Sequence, residues 1–195
     1  MKKAILTVAI MLIFAAGATA QVSTPVSLYL GGALSMPASG DFNAGFQMGY
    51  HGLASVGYKL GPNLQVAGKM EYHNFFFDFA DFVGIDGGDT KVWMYGVDGR
   101  YALGLPVVPL KPFLLAGTGI ARMSWDEFEG TSLTASVLNT AIPDPVSKVY
   151  FNVGGGLELK TVPSFSLFLQ ARYVRVSTDV ESTSFIPVSL GLKFF

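Results

Sequence analysis

Only two imidazoles occur in this chain of 195 residues, His51 and His73, and it has no cysteine. The tripeptide Gly61-Pro62-Asn63 reads as a tight turn that sets Leu60 opposite Leu64. Counting back along an antiparallel pair places His51 opposite His73, with both on one face. Directly opposed residues have Cβ atoms about 5 Å apart. Two imidazoles so placed could share a proton or a metal ion. They could equally be two polar residues of a crowded interior, and a slip of one pair along the ladder would make them diagonal neighbours.

A second group is charged: Lys69, Glu71, Asp98, Arg100, Arg122, Glu158 and Arg172. Each has the parity opposite to the apolar residues of its own segment, as do Lys59 and Lys193. Charges gathered on one enclosed face must pair with one another. The expectation is a hydrogen-bonded ion network, acting as a structural plug or as a gated ion or proton path. Lys91 and Arg175 have the other parity, near the ends of their segments. Cations there could meet lipid phosphates or simply extend toward water along their apolar stems.

Enzymatic fingerprints are missing. There is no GxSxG and no convincing Ser-His-acid set, and no phosphate loop or dinucleotide fingerprint. No cofactor and no resident metal are expected. The acidic stretches Asp86-Gly87-Gly88-Asp89 and Asp126-Glu127-Phe128-Glu129 lack the spacing of a known calcium loop. A net charge of −1 makes no case for nucleic acid.

These residues are carried by eight segments with period-two alternation, the strand signature. The segments run from about Val26 to Met36, Phe46 to Leu60, Leu64 to Phe76, Thr90 to Leu103, Phe113 to Trp125, Lys148 to Lys160, Phe165 to Ser177 and Phe185 to Phe195. About ten residues per strand suits a tilted membrane crossing. The connections after the second, fourth and sixth segments are compact, and those after the third and fifth are long and polar. All 14 acidic residues except Glu71, Asp98 and Glu158 fall in the connections assigned to the outer side. Short inner turns and long outer loops are the habit of bacterial outer-membrane barrels.

Composition points the same way. Only 14% of residues are charged, where a soluble domain carries about 25%. Mean hydropathy is +0.43. A water-soluble barrel of the lipocalin kind also alternates, but it would turn its polar face to water. Here that face is mostly Gly, Ser, Ala, Gln and Asn, which suits a crowded interior. The apolar face carries aromatics near both ends. Tyr58, Tyr101, Phe113, Phe165 and Phe194 lie toward the inner end; Phe46, Tyr50, Tyr72, Trp93, Tyr95, Trp125, Phe151 and Tyr173 lie toward the outer end. Two such bands are expected at membrane interfaces. Residues 1–20 read as a cleaved secretory signal peptide: Lys2 and Lys3, an apolar run from Ile5 to Ala16, then Ala18-Thr19-Ala20. Residues 21–195 would form one barrel domain.

With this pattern the sequence resembles the small eight-stranded outer-membrane barrels, the group of the OmpA transmembrane domain and OmpX, over nearly the whole mature chain. The resemblance implies an all-β fold, an eight-stranded antiparallel up-and-down transmembrane β-barrel in the cell outer membrane. It also implies that barrel assembly machinery reads the last strand, here Ile186 to Phe195 with Phe194 and Phe195 at its end. The alternation of that strand is in phase with Phe194. The expected function is non-enzymatic, a structural or surface-interaction role through the loops Phe77–Asp89 and Asp126–Ser147. Lipopolysaccharide, outer-membrane lipids and an extracellular protein are the expected partners. A narrow channel or small hydrophobic-solute carrier is the second reading. A lipid-modifying enzyme using His73 as base is the third.

Overall fold

The computed structural model describes residues 25–78, 86–104, 110–129, 139–140, 142–162, 164–177 and 183–194. The segment assigned to the signal peptide, and Phe195, lie outside these residues. Eight long strands form the fold: β1 (Val26–Pro37), β2 (Gly49–Lys59), β3 (Leu64–Phe75), β4 (Thr90–Ala102), β5 (Leu110–Trp125), β6 (Val146–Val162), β7 (Phe165–Val176) and β8 (Thr183–Phe194). Each pairs antiparallel with its neighbours in sequence, and β1 pairs with β8 to close the barrel. In the closing seam Tyr29 faces Lys193 and Ala33 faces Ser189. Closure leaves no unpaired edge, which is what lets a sheet sit in hydrocarbon.

The apolar face points outward. Val56, Ile120, Val153 and Leu190 are each at least 55% exposed, whereas Glu71, Arg172, His73 and Ser189 are at most 1% exposed. A soluble barrel would have the opposite arrangement. Two aromatic bands remain on the outer face. Tyr50, Tyr95, Phe151 and Tyr173 stand toward the long-loop end, Tyr58 and Tyr101 toward the short-turn end.

One strand is turned inside out relative to the sequence expectation. In β5 the outward residues are Leu114, Ile120 and Arg122, and the inward ones are Phe113, Leu115, Ala121 and Met123. Both parities of this strand are apolar, so alternation could not choose between them. Packing does choose: Phe113 and Leu115 fill the lumen, and Met123 joins an interior cluster. Arg122 is therefore not a lumen charge. It is exposed on the outer wall, opposite Trp93 and Ser147. Trp125 moves with its strand from the outer band into contact with the interior cluster.

The long-loop end is covered. A one-turn helix, α1 (Gly40–Gly45), brings Phe42 over the barrel mouth, where its ring lies 4.9 Å from that of Phe75. Phe46 was expected to start β2 on the outer wall. Instead it packs on Phe42 at 5.0 Å and on Phe77 at 5.6 Å. Six residues are too few for a helical period to show in sequence, so this cap was not legible there. Farther out, Asp86–Gly87 pairs with Phe128–Glu129 in a small ladder that joins two loops.

Candidate functional site

The central section of the lumen is built from alternate residues of adjacent strands. β3 supplies Lys69, Glu71 and His73, β4 supplies Asp98, β6 supplies Tyr150 and Asn152, and β7 supplies Arg172. All are inward by strand parity and fully or almost fully buried. The Arg172 guanidinium grips Glu71 through both carboxylate oxygens, Nη2–Oε1 at 2.5 Å and Nη1–Oε2 at 3.1 Å. Nη1 donates a charge-assisted hydrogen bond to Oε2, whereas Nη2–Oε1 is an ion-pair contact without hydrogen-bond geometry. Lys69 Nζ lies 2.9 Å from Asp98 and 3.8 Å from Glu71. Asn152 Nδ2 donates to the other Asp98 oxygen at 3.0 Å, and the Tyr150 ring lies 5.4 Å from Lys69 Nζ. Glycine makes room for this. A Cβ at Gly117 would collide with Asp98 Oδ1, and one at Gly119 with the Tyr95 carbonyl and the Tyr150 ring.

The histidines join this section. His51 and His73 are cross-strand partners, with ring centroids 5.0 Å apart and planes 22° from parallel. They are bridged by a hydroxyl. Ser35 Oγ lies 2.8 Å from His73 Nδ1 and 3.1 Å from His51 Nδ1. His51 Nε2 meets Ser189 Oγ at 2.8 Å, and His73 Nε2 faces Glu71 Oε2 at 3.6 Å. One proton arrangement satisfies the three hydrogen bonds of the chain and leaves His73 Nε2 with only its longer contact to Glu71. Ser189 donates to His51 Nε2, His51 Nδ1–H donates to Ser35, Ser35 donates to His73 Nδ1, and His73 Nε2–H points at the Glu71 carboxylate. Each neutral imidazole then has one donor and one acceptor nitrogen. With both Nδ1 atoms turned to one hydroxyl, the pair is built for hydrogen bonding. Among the described residues no group of three or more His, Asp or Glu could hold a metal.

Ser35, His73 and Glu71 are thus in the order hydroxyl, imidazole, carboxylate, the logic of an acyl-transfer triad. Access is what they lack. All three are at most 1% exposed. Above them the Phe185 ring stands edge-on to His73 at 5.0 Å and to Phe75 at 5.2 Å. The sequence offered His73 as the base of a lipid-modifying enzyme. The structure places it under an apolar plug of Phe75, Val92, Met94, Met123, Val174 and Phe185.

Toward the short turns the lumen changes again. Arg100 is enclosed by aromatic rings, its guanidinium carbon 4.3 Å from the Tyr29 centroid and 4.1 Å from that of Phe113. Glu158 is held by Lys193 at 2.8 and 2.9 Å. Lys193 was left out of the expected network, although its parity in β8 pointed inward. Of the seven residues in that expected network, the structure joins Lys69, Glu71, Asp98 and Arg172 directly. It sets Arg100 and Glu158 lower in the lumen and puts Arg122 outside.

Lys91 and Arg175 both lie on β-strands near the long-loop end. Lys91 Nζ contacts Asp126 at 2.6 Å. Arg175 is exposed opposite Phe151. Asp89 accepts hydrogen bonds from Asn74 Nδ2 at 3.0 Å and the Phe77 N–H at 3.3 Å, so this loop carboxylate serves to order the cap. Phe194 ends β8 between Leu28 and Phe165.

Comparison with known proteins agrees with this architecture. Among solved structures, the barrel is similar to neisserial surface protein A, with 18% identity over 88% of this chain and 97% of that one, TM-score 0.63. It is similar to the N-terminal β-barrel domain of Pseudomonas aeruginosa OprF, with 16% identity over 87% and 95%, TM-score 0.53. It is also similar to the outer membrane protein OprG of the same organism, with 10% identity over 88% and 95%, TM-score 0.54. At these identities the likeness is one of fold. No curated protein sequence matches the chain. The family model described as outer membrane protein beta-barrel domain matches residues 6–194. With its closed eight-stranded barrel, apolar outside and charged inside, the chain belongs to the outer membrane protein β-barrel family.

Proposed function

We propose that the protein is a non-enzymatic barrel of the outer membrane that works through its outer surface rather than through its lumen. The observation that carries this reading is the filled cross-section. An apolar plug and the Glu71–Arg172–Lys69–Asp98 network succeed one another along the barrel, and Tyr150, Phe75, Phe185, Glu71 and Arg172 are all at most 1% exposed. An eight-stranded barrel is just wide enough for side chains to fill. The described residues above the plug, Phe42, Phe46, Phe77 and Phe128 among them, form a cap, part of the surface offered to an extracellular protein partner. On the outer wall, Lys91, Arg175 and Arg122 stand where lipopolysaccharide phosphates would lie. Lys91 already has Asp126. Arg122 and Arg175 have no side-chain partner among the described residues.

The test is conductance of the refolded barrel in a planar bilayer, alongside the mass of lipopolysaccharide from cells that express it. The expected result is a silent bilayer and an unchanged mass. Discrete steps would replace this reading with a channel. A mass change abolished by His73→Ala would replace it with a lipid-modifying enzyme.

One observation favours a second reading, carriage of a small hydrophobic solute. The cap carries an open, apolar depression of about 200 Å³ bordered by Phe46, Phe77, Trp125, Phe128, Ile142 and Pro143. Saturable quenching of Trp125 by an apolar dye, lost in Phe128→Ala, would support that reading. A linear, unsaturable response would remove it.

A further inference from the structure

The buried cations of the lumen are not all compensated. Arg172 has Glu71, Lys69 has Asp98 and Lys193 has Glu158. Arg100 is in no ion pair among the described residues, although it is only 8% exposed. Its one side-chain hydrogen bond, from Nη2 to Gln170 Oε1, is long at 3.5 Å. The rings of Tyr29 and Phe113 hold it in place by cation–π attraction. They give it no counter-charge and leave most of its five N–H donors without acceptors.

Arg100 also borders open space. A cavity of about 250 Å³ enters the barrel at the short-turn end, far more than the ~10–15 Å³ that one water needs. Gln65 lines it too, and its Nε2 is buried without a hydrogen-bond partner. Lys59 and Lys111 stand exposed at the mouth. Glu158 is the one acidic residue on this lining, and Lys193 occupies both of its oxygens. Neither can a connection at this end supply another carboxylate side chain, because residues 60–63, 103–112 and 161–164 contain no Asp or Glu.

A desolvated guanidinium facing a cavity with an excess of positive charge attracts anions strongly. We propose that this inner vestibule is an oxyanion site, in which a phosphate group is received by Arg100 at the floor and by Lys59 and Lys111 at the mouth. The group arrives either as free phosphate or as the headgroup of an inner-leaflet phospholipid, and the chemistry of recognition is the same. The site lies at the opposite end from the loops and is independent of what they bind.

The experiment uses the full barrel in nanodiscs of zwitterionic lipid, its folding checked by the mobility shift on heating. Inorganic phosphate is titrated by calorimetry at low ionic strength, and retention of phosphatidylglycerol from mixed discs is measured by mass spectrometry. The expected result is one saturable phosphate site, weakened at least tenfold by the double substitution Lys59→Ala/Lys111→Ala and lost in Arg100→Gln. Both lysines are exposed, so the double variant reports on the site even where Arg100→Gln fails to fold. Phosphate binding that phosphatidylglycerol displaces assigns the site to a lipid headgroup; binding indifferent to that lipid assigns it to free phosphate. Two results overturn the proposal: neither saturable phosphate binding nor selective phosphatidylglycerol retention, or binding that the double substitution leaves unchanged.

Discussion

Toward the long loops the lumen is filled by Phe75, Val92, Met94, Met123 and Phe185, all at most 4% exposed; one layer nearer the short turns it is filled by Lys69, Glu71, Asp98 and Arg172. Both layers close the same barrel, but they fail differently when cut. An apolar layer loses contacts in proportion to what is removed, because its members are interchangeable fillers. A charged layer fails more abruptly, because a single deletion leaves a buried ion short of counter-charge. The outer layer is a seal, and the inner layer is a set of struts between β3, β4 and β7.

That contrast predicts a ranking. Arg172→Met takes from Glu71 its nearest cation, leaving only the longer contacts to Lys69 and His73, and should cost about 3–5 kcal/mol, read from urea unfolding of the barrel in lipid vesicles. The double variant Glu71→Met/Arg172→Met should recover most of that loss, since two apolar side chains of similar volume need no partner. Failure to recover would mean that the pair does more than compensate its own charge. Phe185→Ala should cost about 3 kcal/mol with no such rescue by a second truncation. It should also expose the His73 layer, seen as faster hydrogen exchange of β3 amides.

Smaller effects sharpen the comparison between lumen and outer wall. Arg122→Leu should change stability by about 0–1 kcal/mol, in the stabilising direction, as expected for a lipid-facing cation near the interface. A loss of several kcal/mol would return Arg122 to the lumen. Asp126→Asn should cost under about 1 kcal/mol and lose its effect in high salt, because the Lys91–Asp126 pair is exposed to solvent. An effect that survives high salt would show that the pair is shielded in the membrane.

Most strands were legible because their two faces differ in chemistry. In β3, Val66 and Met70 alternate with Lys69 and Glu71, so only one orientation is tolerable. In β5, Phe113 and Leu115 alternate with Leu114 and Ala116, so parity carries no information, and Arg122, Phe113 and Trp125 face the sides opposite to those the pattern suggests. The His51–His73 register was readable from the turn at Gly61-Pro62-Asn63, which fixes pairing locally. The hydroxyls that bridge the imidazoles were not readable, because Ser35 and Ser189 come from β1 and β8, which pair only when the barrel closes. The cap was hidden too: Phe42 and Phe46 read as a loop and a strand start until the barrel mouth supplied a surface for their rings.

By itself the sequence determined that this chain forms an eight-stranded barrel with its apolar face outward. Period-two patterning, turn chemistry and a thinly charged polar face are local properties, and each strand carries them independently. The tertiary structure decided which charges meet. It paired Arg172 with Glu71 across the lumen, left Arg100 among aromatic rings with no ion pair among the described residues and sealed His73 beneath Phe185. Those outcomes depend on distances across a closed barrel, and no single strand encodes them.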